Sequence, residues 1–413
     1  MRLCNARIPT PTGLALHEIE IIDGQITAVK PTHAGEKEVH EDETDLDGDI
    51  VLPGFVDLHT HIDKGHIWPR APNPDGTHAA AVQAVMQDRA ARWTAEDVAA
   101  RATFSLRCAQ AHGTVALRTH LDSAGPQLDI SWPVFRQLRA DWAGRIALQA
   151  VALVQIDAYA TPFAERMADI VAESGGLLGG TGATQPDAKA LLARLFDLAT
   201  DRNLDIDLHV DETGDPAAHL LRLVAHETRR RNYQGRVTCG HCCSLAVQDP
   251  AFAAETIAAV ADAGITIVSL PMVNSWLQGR RAAQTPVWRG ITLVHELRAA
   301  GIPVVFASDN TRDPFYGFGD LDLLEVFREA VRIGHLDFPV DAWAHTVNAL
   351  PADVMRLPAG RIVAGTPANL IRFNARSYSE LLSRPQTDRT VLRAGIPIET
   401  TPPSYRDLDR LFA

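Results

Sequence analysis

From about residue 50 to 345 the chain alternates short apolar runs with stretches whose apolar positions recur every three or four residues. The runs are Phe55–His61, Val115–His120, Ile146–Val154, Gly176–Gly179, Asp205–Val210, Arg236–Gly240, Ile265–Leu270 and Pro303–Ala307. Most are near-continuous β-branched and aliphatic residues, the pattern of strands buried on both faces. Helical stretches fall between them. One opens at Thr94, with Asp97 three residues on as an approximate capping box; others are Pro186–Thr200, Pro216–Arg231, Pro250–Ala263, Leu293–Ala300 and Leu321–Ile333. Eight such units in about 295 residues predict a (β/α)8 barrel rather than a doubly wound open sheet.

The two ends read differently. LCNARIP, EIEIIDGQITAVKP and TDLDGDIVLP near the start, and GRIVAGTPANLIRFN and TVLRAGIPIE near the end, are short strand-like runs broken by glycine turns. They predict a small β-domain made from both chain ends, residues 1–52 and 358–413, beside a catalytic barrel of residues 53–357. No internal repeat, low-complexity tract or long linker is visible.

Composition narrows the class. Apolar residues make up 46% and charged residues 22% of the 413, as in a packed globular protein. No apolar stretch approaches the roughly 18 residues of a membrane span. The opening MRLCNARIPTPTG lacks the apolar core of a signal peptide, so a cytoplasmic protein is expected. A net charge of −12 argues against nucleic acid or an anionic membrane as partner. The one basic cluster, Arg229-Arg230-Arg231, closes a predicted helix, where cations suit the dipole. Cys4, Cys108, Cys239, Cys242 and Cys243 are too few and scattered for a disulfide framework. Cys239 and Cys242 form a C-x-x-C without a second pair, and read as buried thiols at the end of a strand.

The chemistry lies at the strand ends. His59 and His61 stand two apart on the first barrel strand, so both project from one face. His209 ends the fifth strand (LDIDLHVDE), His241 the sixth (VTCGHCC) and Asp309 the eighth (VVFASDN). An isolated buried histidine is usually a satisfied core residue. Four histidines and an aspartate, each where a strand feeds its loop, point instead to a metal site at the C-terminal rim of the barrel.

This order, H-x-H on strand one, His on strands five and six and Asp on strand eight, resembles the amidohydrolase superfamily. Dinuclear members add a bridging carboxylated lysine on strand four. Only four of the 39 basic residues are lysines (Lys30, Lys37, Lys64 and Lys189), and Lys189 lies in the helical run PDAKALLARLF. One metal ion is therefore expected, held by His59, His61, His209 and Asp309 with water completing its shell. Zinc and ferrous iron both suit these ligands. A bound divalent cation lowers the pKa of its water from about 15.7 towards roughly 7. Glu212, three residues after His209, is the candidate proton shuttle. Asp309 can also accept the proton of the attacking water. His241, left over once the shell is filled, either steadies the tetrahedral centre by a hydrogen bond or supplies a fifth ligand.

With these residues in place, the chain resembles the cytosine deaminase branch from about Leu52 to Asn374. The likeness rests on PGFVDLHTHIDKG, ALRTHLD, IALQAVALVQ, DLHVDET, GRVTCGHCCSLA, PMVNSWLQGR, RGITLVHEL, ASDNTRDPFYGFGD and GTPANLIRF. The resemblance implies that Gln155 reads the carbonyl and N–H edge of the ring, a lactam-type edge that suits an amide. It implies Glu212 as shuttle and the same four metal ligands. Ser308-Asp309-Asn310 stands where familiar bacterial cytosine deaminases have H-D-D, and Phe315 where they place a tryptophan, so Asn310 and Phe315 mark a changed pocket wall. The runs S-D-N-x-R-D and H-x-H-x-D-K, the latter with Asp63 and Lys64, resemble a sister branch that removes alkylamines from triazines. That branch lacks the strand-five glutamate. Asp63 and Lys64 either pair structurally or belong to the pocket.

The expected activity is hydrolytic deamination of cytosine or a close relative such as 5-methylcytosine or isocytosine, releasing ammonia. The alternatives are another heterocycle (a triazine, pterin, purine such as isoguanine, or creatinine-like ring), or a catalytically dead barrel serving as a scaffold. Homo-oligomers are common in this branch, so one is a possible partner state.

Overall fold

The computed structural model describes residues 1–32, 43–182 and 184–412; Lys37 lies outside them. Eight parallel strands form the centre: Phe55–Thr60, Thr114–Asp122, Ala147–Leu153, Leu178–Gly182, Ile206–Val210, Val237–His241, Thr266–Ser269 and Val304–Phe306. The first three pair as one arc and the last five as another. Parallel bridges Val151–Leu177 and Gln155–Thr181 join the arcs at one seam, and Thr60–Asp309 joins them at the other. The ring is a (β/α)8 barrel. Helices cover its outside and bury their apolar faces against it, as in Phe163–Glu173, Ala188–Asp201 and Leu323–Gly334.

Two predicted boundaries move. The fourth strand begins at Leu178 rather than Gly176 and runs on to Gly182. A Cβ on Gly179 would come within 2.4 Å of both the Asp207 carbonyl and Val151, so close strand packing demands glycine there. The sixth long helix starts at Leu220, not Pro216. Its first amides, on Leu220 and Leu221, donate to the Asp211 carboxylate at 3.1 and 2.9 Å. The cap thus comes from the end of strand five, out of reach of a local capping signal. Thr94 caps Ala95–Ala111 through the Asp97 amide as expected.

Strands from both ends of the chain share one sheet. Arg2–Thr10, Gly13–Ile22 and Gln25–Pro31 form an antiparallel meander. Ile50–Pro53 pairs with the first of these and with Leu370–Phe373, which continues to Thr390–Arg393. Leu3, Ile8, Ile19, Ile26, Val51 and Leu370 give this sheet a core of its own. The last turn, Tyr405–Leu411, leaves the sheet and packs Leu408 on Phe104 and Cys108 of a barrel helix. Among the described residues no helix is long and apolar enough to cross a membrane.

Candidate metal centre and active site

Parallel strands in register stack alternate residues in layers. Strands one, two and five repeat one polar pattern: Asp57-x-His59-x-His61, Arg118-x-His120-x-Asp122 and Asp207-x-His209-x-Asp211. The lower layer is an ion pair, with Arg118 Nη1 donating to Asp207 Oδ2 at 2.7 Å. Above it the rings of His59 and His120 lie 4.0 Å apart, and those of His59 and His209 4.4 Å apart, centre to centre. A Cβ on Gly240 would meet the His59 ring at 2.9 Å, so glycine there makes room for the imidazole.

The five predicted residues converge. His209 Nε2 lies 3.1 Å from both His59 Nε2 and His61 Nε2, although it can share a proton with one of them at most. Asp309 Oδ1 is 3.1 Å from His61 Nε2 and 3.5 Å from His59 Nε2. Ligand atoms of His59, His209, His241 and Asp309 all fall within 4.8 Å of one another. Both Asp309 oxygens and His241 Nε2 are buried without a hydrogen-bond partner. Burial and neighbouring positive charge push His59, His61 and His209 well below the usual histidine value, so their imidazoles are neutral. Burial, with Glu212 and Asp313 nearby, pushes the Asp309 carboxyl well up. Neutral imidazoles beside a desolvated carboxylate, with polar atoms left open, are the donor set a divalent cation completes.

Left-handed backbone recurs at this rim. Asp211, His241, Cys242 and Asp309 have φ of 49°, 69°, 51° and 63°. Each left-handed non-glycine residue costs on the order of 1–3 kcal/mol, a pattern of functional sites. The predicted strand-end thiols of Cys239, Cys242 and Cys243 are buried and unpaired, with their ionisation suppressed by burial.

Glu212 sits beside the cluster. Asn274 Nδ2 donates to its Oε1 at 3.2 Å and lies 3.0 Å from His241 Nδ1, which is itself 3.3 Å from Oε1. A cavity of about 380 Å³ opens from there, reached by His61, His209, Glu212, His241, Gln155, Asn310 and Phe315. Gln155 is exposed into it. Asn310 directs its amide to Asp313 Oδ2 at 2.7 Å, and Phe315 lies 5.0 Å beneath the buried Lys64 ammonium. Lys64 also approaches Asp122 at 3.7 Å, and burial is outweighed by Asp122, Asp63 and Asp313, which keep it charged. The strand-four position where a bridging lysine would stand is glycine-rich, and Lys189 begins a covering helix.

Three neighbours had no assigned role in the sequence reading. His120 carries the same period-two signal as His59 and His209, and it was legible there. Asn274 lies inside the run PMVNSWLQGR. His78 gave no local signal: it opens the helix His78–Arg92, whose cavity-facing side only the fold reveals.

The fold and the cluster define a barrel hydrolase whose histidine–aspartate centre fits a divalent metal ion. The chain matches the amidohydrolase family over residues 163–396. It is 51% identical over 406 residues to the pterin deaminase of Rhizobium rhizogenes (strain K84), covering 98% of this chain and 92% of that one. It therefore belongs to the amidohydrolase family. It is also 25% identical over 319 residues to the N-isopropylammelide isopropyl amidohydrolase of Pseudomonas sp. (strain ADP), covering 75% of each. Among solved structures, 5-methylcytosine deaminase from Klebsiella pneumoniae liganded with 5-fluorocytosine superposes with a TM-score of 0.85 at 27% identity, over 96% of this chain and 97% of that one. The chain is thus a hydrolase of C–N bonds in cyclic amidines, a deaminase of a nitrogen heterocycle.

Proposed function

We propose that the substrate is a pterin, deaminated at the amino-bearing carbon of its pyrimidine half with release of ammonia. The observation that carries this reading is the 51% identity to a pterin deaminase across nearly the whole chain. The cavity agrees with a fused bicycle. It continues from the cluster along His78, Val82, Val85, Met86 and Arg89, a stripe about 16 Å long on one helix, with Leu153 and Phe163 also lining it. A pyrimidine such as cytosine, placed first by the sequence resemblance, occupies the inner end alone. It is the second reading, carried by the likeness to 5-methylcytosine deaminase.

In this reading His59, His61, His209 and Asp309 would hold the metal, zinc or ferrous iron. When bound, the ion supplies a water acidic enough to ionise near neutral pH. Asp309 takes that water's proton. Glu212 takes that proton over from Asp309 and gives it to the ring nitrogen beside the attacked carbon, then receives the one on the new hydroxyl and passes it to the leaving amine, so both carboxylates end as they began. The C–O bond forms, the C–N bond breaks, and the ring regains its lactam with ammonia as the other product. If the Asn274 amide donates to His241 Nδ1, the neutral imidazole carries its proton on Nε2. That unpartnered N–H then steadies the developing oxyanion, and His241 is a donor rather than a fifth ligand. Gln155 offers an amide to the lactam edge, while Phe315 and Asn310 form the wall.

An ammonia-release assay over pterin, cytosine, 5-methylcytosine, isocytosine, isoguanine, creatinine and aminotriazines tests the assignment. Pterin should give the highest kcat/KM. A higher value for cytosine or 5-methylcytosine would return the protein to the monocyclic reading.

A further inference from the structure

Glu212 uses its two oxygens differently. Oε1 faces Asn274 and His241, both wholly buried. Oε2 faces His78, whose Nε2 stands 3.6 Å away; the His78 side chain is 46% exposed. Of these three neighbours, His78 alone reaches solvent.

The position of His78 is built from several elements. Thr77 caps its helix through the Ala80 amide. The loop before it is stitched by buried Asn73, whose Nδ2 donates to Thr77 O and to Pro314 O at 3.0 and 2.9 Å, and whose Oδ1 accepts from the Gly76 amide. Pro314 precedes Phe315, and the Phe315 ring lies 5.4 Å from the His78 ring, edge on. Gly76, at φ 76°, has Arg280 packed where its Cβ would stand. One loop thus ties the start of the helix both to the loop after strand eight and to Arg280, and it sets His78 between Phe315 and Glu212.

We propose that His78 is a positioning residue for the deamination. It fixes the outer oxygen of Glu212, so that the carboxylate presents one orientation to the ring nitrogen rather than swinging towards the open cavity. A glutamate tethered at one oxygen can still rotate about its terminal torsion, which is broad for carboxylates. A second partner on the other oxygen removes that freedom before substrate arrives, the preorganisation that proton transfer needs. Although burial opposes it, contact with Glu212 raises the basicity of His78, consistent with an ion pair rather than a chance approach. The same side chain lines the cavity together with Glu212 and the Val82–Arg89 stripe.

This rests on Glu212 being the shuttle, so Glu212→Gln is measured first on the metal-loaded enzyme with pterin. If that variant keeps normal turnover, the shuttle assignment fails on its own terms. If it is crippled, His78→Ala and His78→Gln test the proposal. Ala should lower kcat about ten- to a hundredfold, the scale of a lost polar contact with a charged group, with metal content unchanged and KM altered much less. Gln, whose Nε2 can donate to the same oxygen, should recover most of the kcat. A loss confined to KM, unchanged kcat, or a Gln variant no better than Ala would overturn it.

Discussion

Two buried polar regions lie side by side behind the H-x-H strand, and they are built on opposite plans. In one, Arg70 donates to Asp88 at 2.9 Å and to Asp97 at 2.6 Å, and Arg101 donates to Asp97 at 2.9 and 2.7 Å. Trp93 Nε1 donates to Asp88, and Arg101 reaches the carbonyls of Asp63 and Gly65, in the loop that follows His61. Every charge has a partner. In the other, five histidines and Asp309 crowd together with neutral rings and open polar atoms. Folding alone does not satisfy them. The difference teaches how to read buried polarity: the region that closes on itself supports, and the region left open awaits a ligand.

Substitutions should separate the two. The largest effect is expected in the open region. Glu212→Gln should retain the metal and the thermal stability of the parent while turnover falls by about two to four orders of magnitude. A large drop in Tm with near-normal kcat would make Glu212 a structural residue.

The closed region should behave in reverse. Asp97→Ala leaves the buried Arg101 without a carboxylate and Arg70 with Asp88 alone, and should cost about 3–5 kcal/mol in urea unfolding with turnover per folded molecule little changed. Burial works against the Asp97 carboxylate, yet Arg70 and Arg101 hold its pKa below the ordinary 3.8. Since the folded value is the lower one, this stabilisation is complete above about pH 4 and drains away as pH falls through the folded value. The parent should lose stability steeply there and the variant less so. Equal acid dependence in both would remove Asp97 from the account.

The barrel was legible because its strands are buried on both faces and read as unbroken apolar runs. The candidate metal cluster was legible because chemistry restricts its residue types and the fold restricts their places. What escaped depended on distant partners. The strand candidate Gly176–Gly179 stops three residues short of the observed end at Gly182, and the neighbouring backbone that excludes a Cβ at Gly179 is seen only in the fold. Pro216 looks like a helix start, but Asp211 caps four residues further on. His120 could have been found, since Arg118-x-His120-x-Asp122 repeats the polar spacing of the His59 and His209 strands. His78 could not: nothing in GTHAAAVQAV says that its first helical residue meets a glutamate 134 positions away.

The centre of the account is that His59, His61, His209 and Asp309 share one cation. Elemental analysis of the purified protein beside its His209→Ala and Asp309→Ala variants tests this directly. One zinc or iron per chain in the parent, falling towards zero in both variants while they stay folded, is the predicted result. A parent without metal, or variants that keep it in full, would contradict the claim.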